Sequence, residues 1–518
     1  MAQIRLVRGF LTVGGWTALS RILGFVRDVA IASVMGAGPI AEAFFVAFSL
    51  PNMFRRFFAE GAFNMAFVPM FAKKVESGEG AETFARDALT GLAIILLALT
   101  VLAHVFMPGL VLAMAAGFAG DERFDLAVTY GRIAFPYIFF ISLSALLSGV
   151  LNATGRFGAA AFAPVLLNII FIGAVLVSIF FGTDVGLTQS WAIPLSGVAQ
   201  LAFVWWAAAR AGYNLWPRRI RMTPELRRLA IIAAPAMLAQ GVVQINLLVG
   251  RQVSSFFDGA IAWLSYADRL YQLPLGVVGI AIGVVLLPDL SRRLRSGDEG
   301  GSRWSLSRAG EFALMLTVPS AVALVVIPLP LVQVLFQRGA FTADDAANTA
   351  IAVAVYGLGL PAFVLQKVLQ PIYFARENTR TPFYFALFSL VVNAGLAIGL
   401  APVIGFIAAA FGTTFAGWAM TLALWVGTHR MGETTRFDAR FWRRMWGILA
   451  ASLIMGAELW GATIVLGPML GTGGIDVIGL VLLIASGVVT YFAAGHVLGA
   501  VKLSDIKKMM KRDGTAKG

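Results

Sequence analysis

Four arginines lie within stretches of sequence that are otherwise apolar enough to cross a membrane. Arg21 and Arg27 belong to the first of these stretches, Arg55 to the second and Arg269 to a stretch in the second half of the chain. An arginine guanidinium is always charged and donates paired hydrogen bonds to phosphate or carboxylate groups. Charged side chains inside a membrane are costly and mark functional sites by default. The four arginines therefore predict a binding site for an anionic head group, for which phosphate or pyrophosphate is the best match.

Polar neighbours of these arginines could hold the guanidiniums in place when no ligand is bound. The residues predicted for this supporting role are Ser20, Asp28, Glu42 and Asp268. The alternative is that each arginine only neutralises an acid and pins two helices together. Arg56 and Glu60 are four residues apart, so for them an ion pair within one helix explains the sequence as well as a contact with ligand does.

The motifs of several common enzyme classes are missing from the sequence. There is no cysteine and the three histidines are far apart, so neither thiol chemistry nor a metal site is predicted. The motifs G-x-x-x-x-G-K-[ST], H-E-x-x-H and G-x-S-x-G do not occur. The carboxylates of the apolar stretches stand beside arginines, which favour the charged form and disfavour acid–base catalysis. The sequence therefore predicts a protein that binds and moves its substrate, rather than an enzyme.

The composition places the chain in a membrane. Of its 518 residues, 59% are hydrophobic and 13% are charged, and the mean hydropathy is +0.83. So few charges cannot cover the surface of a water-soluble protein of this size. Lysine and arginine number 40 against 27 aspartates and glutamates, which gives a formal net charge of +13. At this low charge density, we interpret the basic excess as contact with lipid and not with nucleic acid.

Fourteen stretches are long and apolar enough to form membrane helices, which need about 20 residues each. The sequence therefore predicts an all-α polytopic membrane protein with 14 transmembrane helices. The stretches cover residues 10–34, 39–72, 88–116, 124–151, 158–181, 188–209, 229–249, 257–289, 309–337, 344–373, 381–401, 404–428, 445–466 and 475–500. Internal prolines in the longer stretches predict bent or broken helices.

The distribution of positive charge predicts the orientation of these stretches. Lysine and arginine accumulate in the cytoplasmic loops of membrane proteins. With the N-terminus inside, thirty of them fall on the cytoplasmic side and three, Arg123, Arg251 and Arg338, fall outside. Both termini are therefore expected in the cytoplasm, with the protein in the bacterial inner membrane. Seven cations remain within the stretches, of which Arg132 and Lys367 are expected at an interface or facing sideways.

An internal repeat divides the chain. Pro136 precedes Asn168 by 32 residues, and Pro361 precedes Asn393 by 32 residues as well. The repeat covers six stretches, so both halves have the same orientation, which is a common transporter plan with the binding site between the halves. The predicted domains are an N-lobe at residues 1–212, a C-lobe at 213–430, and a segment at 431–518 with the last two helices and a basic cytoplasmic tail.

Five segments carry a resemblance to a known family. Residues 20–28 read SRILGFVRD, 43–48 read AFFVAF, 50–63 read LPNMFRRFFAEGAF, 66–69 read AFVP and 266–270 read YADRL. These segments resemble the MurJ (MviN) lipid II flippase family of the multidrug/oligosaccharidyl-lipid/polysaccharide exporter superfamily. The resemblance extends over almost the whole chain, including the fourteen apolar stretches.

The resemblance implies an activity. It implies that lipid II, the undecaprenyl-pyrophosphate-linked peptidoglycan precursor, is flipped from the cytoplasmic to the periplasmic leaflet, in the service of peptidoglycan biosynthesis, cell wall biogenesis and cell shape. It also implies two six-helix lobes around a cationic cavity with alternating access, and a groove for the prenyl tail at the last two helices. The cavity arginines and supporting polar residues of the family correspond to the eight positions named above, with Glu42 where the family often has aspartate.

The resemblance also bears on cofactors and partners. Lipid II, membrane lipids and unspecified cell-wall synthesis proteins are the expected partners. Some family members have a sodium site with acids on helices 7 and 11. Here these helices offer only Gln240, Gln244, Asn246 and Asn393, so no cofactor is predicted and sodium is not expected. The membrane potential is a candidate driver, because an inside-negative potential favours outward movement of a negative head group.

Three alternative functions stay open at this point. A drug/cation antiporter of the same superfamily should have an acidic cavity, whereas the predicted cavity is net basic. Another polysaccharide-lipid flippase of the superfamily would use a similar cationic cavity. A structural membrane scaffold would not need the arginines for activity.

Overall fold

The computed structural model describes residues 2–56, 62–218, 222–281, 292–293, 296–432, 435–470 and 475–501. Across these residues the backbone forms eighteen α-helices and one short 3-10 helix, without a β-strand. The all-α architecture predicted from the hydropathy pattern is confirmed. Packing divides the chain into two compact units, Met1–Ala262 with Arg338–Phe341, and Trp263–Gln337 with Thr342–Gly518.

Among the residues that the structure describes, the first unit contains ten complete α-helices. In chain order they are α1 (Ala2–Met35), α2 (Pro39–Arg55), α3 (Ala62–Ser77), α4 (Ala81–Val105), α5 (Met107–Met114), α6 (Glu122–Ala134), α7 (Tyr137–Ala153), α8 (Gly158–Phe181), α9 (Val185–Arg210) and α10 (Pro224–Ser254). A 3-10 turn at Ala116–Phe118 joins α5 to α6. The main pairings are α1 with α8, α2 with α6, and α9 with both α7 and α8. The first residues of α11 (Ala260–Ala281) also belong to this unit.

The second unit contains the rest of α11 and seven further helices. They are α12 (Glu299–Val326), α13 (Pro328–Phe336), α14 (Ala343–Phe374), α15 (Arg380–Ile404), α16 (Ile407–His429), α17 (Ala439–Leu470) and α18 (Asp476–Val497). Helix α14 packs between α12 and α16, and α17 packs against both α12 and α18. Two buried tyrosines tie these helices together, because Tyr373 donates a hydrogen bond to the carbonyl of Leu424 at 2.7 Å and Tyr491 donates one to Met315 at 2.7 Å.

Local sequence fixes several helix ends. Thr342 and Asp345 form a reciprocal capping box at the start of α14, in which each side chain accepts a backbone N–H of the other residue. Pro39 occupies the first turn of α2, where its missing N–H costs nothing. Gly182 ends α8 in the left-handed conformation, with φ of 64°. The boundaries of the helices are thus encoded next to the apolar stretches.

Ten helical segments in the described part of the chain are long and apolar enough to cross a membrane. They are Ala81–Val105, Glu122–Ala153, Gly158–Phe181, Val185–Arg210, Glu299–Val326, Ala343–Phe374, Arg380–Ile404, Ile407–His429, Ala439–Leu470 and Asp476–Val497. Each of the fourteen predicted stretches overlaps at least one helix, and the total of fourteen spans stays a prediction. The stretch at 124–151 is interrupted at Pro136, whereas Pro361, its counterpart in the repeat, lies inside the continuous α14.

The boundary between the compact units differs from the boundary of the sequence repeat. Helix α10 begins the second repeat, yet it packs against α3, α4 and α5 of the first unit. The first unit consequently extends to Ala262. The division at residue 212 follows sequence similarity and the division at Ala262 follows packing, so the repeat-based lobes stay a prediction. Residues 502–518, which include most of the predicted basic tail, lie outside the described residues.

Candidate functional site

Arg27 is held by Asp28, the next residue on α1, and by Asn168 on the neighbouring helix α8. Its Nε and Nη2 atoms both donate to Oδ1 of Asp28, at 3.0 and 2.7 Å, and its Nη1 donates to Oδ1 of Asn168 on α8 at 3.0 Å. The guanidinium also lies 5.5 Å from the centre of the Phe171 ring. Arg27 and Asp28 are both buried, so this ion pair is shielded from solvent. The predicted supporting role of Asp28 therefore has a direct geometric counterpart.

Asn168 connects this pair to the rest of α1. Its amide nitrogen donates to the backbone carbonyl of Ser20 at 2.8 Å and to the Ser20 hydroxyl at 3.3 Å. One buried amide therefore bridges α8 to two successive turns of α1 and fixes the orientation of the Arg27 side chain. The structure thus brings Ser20, Arg27 and Asp28 together through Asn168, and their role at a ligand stays a prediction.

The other predicted residues of the first unit occupy different surroundings. Arg21 is exposed on α1, and Arg55 is half-buried at the end of α2. Arg56 donates to Oε1 of the buried Gln244 on α10 at 3.4 Å. Its suggested partner Glu60 lies outside the described residues, as does the side chain of Gln240.

Asp268 and Arg269 lie in α11, within the second unit, and both are half-buried. Asp268 accepts a short hydrogen bond from the side chain of Gln272, one turn further along the helix. The proposal that Arg269 joins the first-unit arginines at one ligand stays a prediction.

Glu42 contacts a cation that we assigned to an outside loop. Its Oε2 is 3.0 Å from Nη1 of Arg123, and its Oε1 accepts the backbone N–H of Ile261 at 3.1 Å. Only 1% of Glu42 is exposed. Arg123 lies in the first turn of α6 and is itself buried. Glu42 therefore supports Arg123 and the first turn of α11, in place of the predicted contact with the arginines of the apolar stretches.

Two further carboxylates complete what we call the Arg123 cluster, formed by Glu42, Asp121, Arg123 and Asp258. Nε of Arg123 is 2.6 Å from Oδ2 of Asp121, and Nη2 is 3.0 Å from Oδ1 of Asp258. The guanidinium also lies 4.7 Å from the centre of the Phe118 ring. Burial raises the pKa of Asp121, but hydrogen bonds from Arg123 and its positive charge outweigh this and lower the pKa overall.

A second buried charge cluster lies in the second unit. Arg308 on α12 is 2.7 Å from Glu311 one turn away and forms a short ion pair with Asp438. Arg440 and Arg444 of α17 approach the same Glu311 at 3.6 and 3.3 Å. These five residues, the Glu311 cluster, tie α17 to α12. We assign them a packing role, because their ion pairs join α12 to α17 and to the residue just before it.

Sequence reasoning missed Arg123 and Arg308 because it counted both as loop cations. A usable signal was present at Arg123: aspartates before and after it in Asp121–Asp125 suit a capped first helical turn. At Arg308 the signal was the acid three residues later, which places both charges on one face of a helix.

The fold matches that of known transporters. An inward-facing multidrug resistance MATE transporter of the MOP superfamily superposes with a TM-score of 0.62 at 15% identity, over 85% of this chain and 100% of the other. At that identity the similarity establishes the fold alone. The chain therefore shares the fold of this protein.

Sequence comparison narrows this class to one family. The profile of the family "Lipid II flippase MurJ" matches residues 31–481. The probable lipid II flippase MurJ of Rhizobium tropici is 42% identical over 519 residues, covering 98% of this chain and 97% of the relative. The lipid II flippase MurJ of Burkholderia cenocepacia is 36% identical over 89% of this chain and 90% of its own length. A structure of lipid II flippase MurJ in an inward closed conformation superposes with a TM-score of 0.78 at 26% identity, over 97% of this chain and 99% of the other.

The chain belongs to the lipid II flippase MurJ family. The resemblance stated from five sequence segments is confirmed, and the drug/cation antiporter is not favoured. Members of this family are transporters and not enzymes. The chain is accordingly a multi-pass protein of the bacterial inner membrane.

Proposed function

We propose that this protein flips lipid II from the cytoplasmic to the periplasmic leaflet by alternating access. The observation that carries the proposal is the 42% identity to a probable lipid II flippase over 98% of the chain. The buried Arg27 supports it from geometry, because a guanidinium fixed within an apolar helix is suited to recognise a phosphate. Peptidoglycan synthesis then consumes the flipped precursor on the outer side.

The head group is bound by Arg21, Arg27, Arg55 and Arg269 in this proposal. Asp28 occupies the Nε and Nη2 edge of Arg27 when no substrate is present. A phosphate oxygen that takes this edge replaces one anion by another, so Arg27 is never left as a lone charge in the membrane. Asn168 keeps the guanidinium in place during the exchange because it contacts the other terminal nitrogen, Nη1.

The orientation and the driving force belong to the same proposal. The excess of lysine and arginine on one side supports cytoplasmic termini. Transport of a net negative head group outward gains about 2.3 kcal/mol per charge per 100 mV from an inside-negative potential. Membrane potential is therefore the proposed driver, without an ion cofactor. If transport is unchanged after the potential is abolished with an ionophore, this driver is ruled out.

The decisive experiment is complementation in cells depleted of the resident flippase. Arg27→Ala and Arg269→Ala are expected to abolish growth and to leave lipid II in the cytoplasmic leaflet, which is measured by the accessibility of its head group from outside. Arg132→Ala is the matched control, since Arg132 is exposed and its Nε donates a hydrogen bond to the backbone carbonyl of His104 at 3.2 Å. Normal growth and translocation with both stably expressed arginine variants would exclude the proposed head-group site and leave the scaffold alternative.

A further inference from the structure

Within the first unit, two segments of the second repeat pack against elements of the first repeat. In the first segment, Gln252 accepts the backbone N–H of Ala116 at 2.8 Å and Ser255 accepts that of Gly117 at 2.9 Å. In the second segment, Arg338–Phe341, the backbone N–H of Ala340 donates to the carbonyl of Ser33 in α1 at 2.8 Å. Both segments follow or precede helices at the end that the charge pattern assigns to the outside. The turns at the outer ends of these second-repeat helices are therefore hydrogen-bonded to the first repeat.

The docking at Gly117 is too close for any side chain. A Cβ on Gly117 would lie 2.6 Å from the backbone nitrogen of Phe256 and nearer still to the carbonyl group of Ser255. Ser255 is fully buried in this contact. Backbone atoms cannot move aside as a flexible side chain does, so the glycine is required for this approach.

The Arg123 cluster also joins the first repeat to the second. Glu42 and Asp121 belong to α2 and to the residues just before α6, whereas Asp258 lies in the turn between α10 and α11. The side chain of Asp258 is 93% exposed, while that of Arg123 is 7% exposed. Loss of the Asp258 contact leaves Arg123 with two carboxylates and returns Asp258 to water. No buried charge is left alone, so this ion pair can break at small cost.

We propose that Arg123 is a positioning residue of an outer gate, and that Asp258 is the partner it releases when the gate opens. Arg123 orients Glu42 so that its other carboxylate oxygen accepts the Ile261 N–H in the first turn of α11. Amides of a first helical turn lack partners within the helix, so this contact holds the start of α11. The gate acts in alternating access, so the inference rests on the proposed function.

The absence of cysteine from the chain makes the gate directly measurable. We would introduce Ser255→Cys as a single buried thiol and follow its reaction with a maleimide in purified protein in lipid nanodiscs. Asp258→Asn removes the charge that crosses the contact. We expect it to accelerate labelling about two- to five-fold, the range that an exposed ion pair contributes. Higher salt should accelerate labelling of the parent protein and leave the Asp258→Asn variant unchanged, because only the parent has the ion pair between Arg123 and the exposed Asp258.

Asp121→Asn is the matched control. Asp121 also contacts Arg123, but both residues belong to the first repeat, so their ion pair does not cross between the repeats. Asparagine at position 121 preserves the cap of α6. Labelling in this variant should equal that of the parent. Equal rates for Asp258→Asn and the parent, or an equal acceleration by Asp121→Asn, would overturn the proposal. No lipid II is present in this measurement, so its failure is distinct from failure of the complementation test.

Discussion

The two buried charge clusters have opposite compositions. The Arg123 cluster places three carboxylates around one guanidinium, whereas the Glu311 cluster places three guanidiniums around two carboxylates. In the first cluster, Asp258 is almost fully exposed. In the second, the central pair of Arg308 and Glu311 has side chains that are 5% and 8% exposed. The first cluster can therefore lose Asp258 to water, whereas the central ion pair of the second cluster is shielded from water.

The surroundings of the clusters reinforce this difference. Phe437 and Phe441 stack beside the Glu311 cluster with ring centres 3.9 Å apart, and both rings are buried in the core of the second unit. Asp438 is fixed by the Ser307 hydroxyl, which accepts its backbone N–H at 2.9 Å. The Arg123 cluster instead borders the 3-10 turn and an exposed interhelical turn. We infer that the Glu311 cluster holds α17 permanently in place, whereas the Arg123 cluster contains a contact that can break.

The largest effect on stability should come from disrupting the Glu311 cluster. Glu311→Gln removes one of the two acids that pair with Arg308, and it also removes the shared partner of Arg440 and Arg444. Three guanidiniums then face the single carboxylate of Asp438, and we expect a loss of about 3–5 kcal/mol in the free energy of unfolding, the range for removing one partner of a buried ion pair. The midpoint of thermal unfolding in detergent measures this. Arg443→Gln, an exposed change on α17, is the control and should leave the midpoint unchanged.

A middle-sized effect should follow from crowding the docked turn. Gly117→Ala places a Cβ against the backbone of Ser255 and Phe256, which we expect to cost about 1–3 kcal/mol and to expose Ser255. Thermal unfolding and thiol labelling of Ser255→Cys would both report it. Gly109→Ala is the matched control, because a Cβ there meets no atom within 4 Å. If the two variants behave alike, the close approach at Gly117 does not hold the turn.

The smallest effect should come from Asp258→Asn. Because Asp258 is exposed and Arg123 keeps two acids, we expect the free energy of unfolding to change by less than about 1 kcal/mol. The same thermal assay that detects Glu311→Gln should barely detect it. If Asp258→Asn lowered the free energy of unfolding as much as Glu311→Gln does, both clusters would hold their helices permanently. The proposed difference between the two clusters would then be excluded.

Much of the fold was accessible from the sequence because the lipid environment forces long apolar helices. The fourteen predicted stretches each overlap a helix, and the break at Pro136 was marked by its proline. The continuity of α14 through Pro361 was not predictable in this way, because neighbouring helices decide whether a proline interrupts a helix or is accommodated. The packing of α10 with the first unit was also hidden, since the repeat reports ancestry and not contacts.

The candidate site was predicted in part for similar reasons. Arg27 and Asp28 were both assigned to the candidate site from the sequence, and the structure shows that they form an ion pair. The partner of Glu42 could not be read in this way, because Arg123 is 81 residues away and joins it only when α2 and α6 pack. Long-range partners such as Asn168, 141 residues from Arg27, need the fold before they can be assigned.

The pairing of Arg27 with its own neighbour has a consequence for substrate release. Asp28 is attached to the chain beside Arg27, so it competes for the guanidinium at a fixed and high local concentration. A phosphate therefore binds to Arg27 more weakly than it would bind to an arginine without a neighbouring carboxylate. In the proposed transport, this built-in competitor keeps the head group from being trapped, because Asp28 reclaims Arg27 as soon as the phosphate departs. The lower affinity of the site for the head group thereby allows faster release of the substrate.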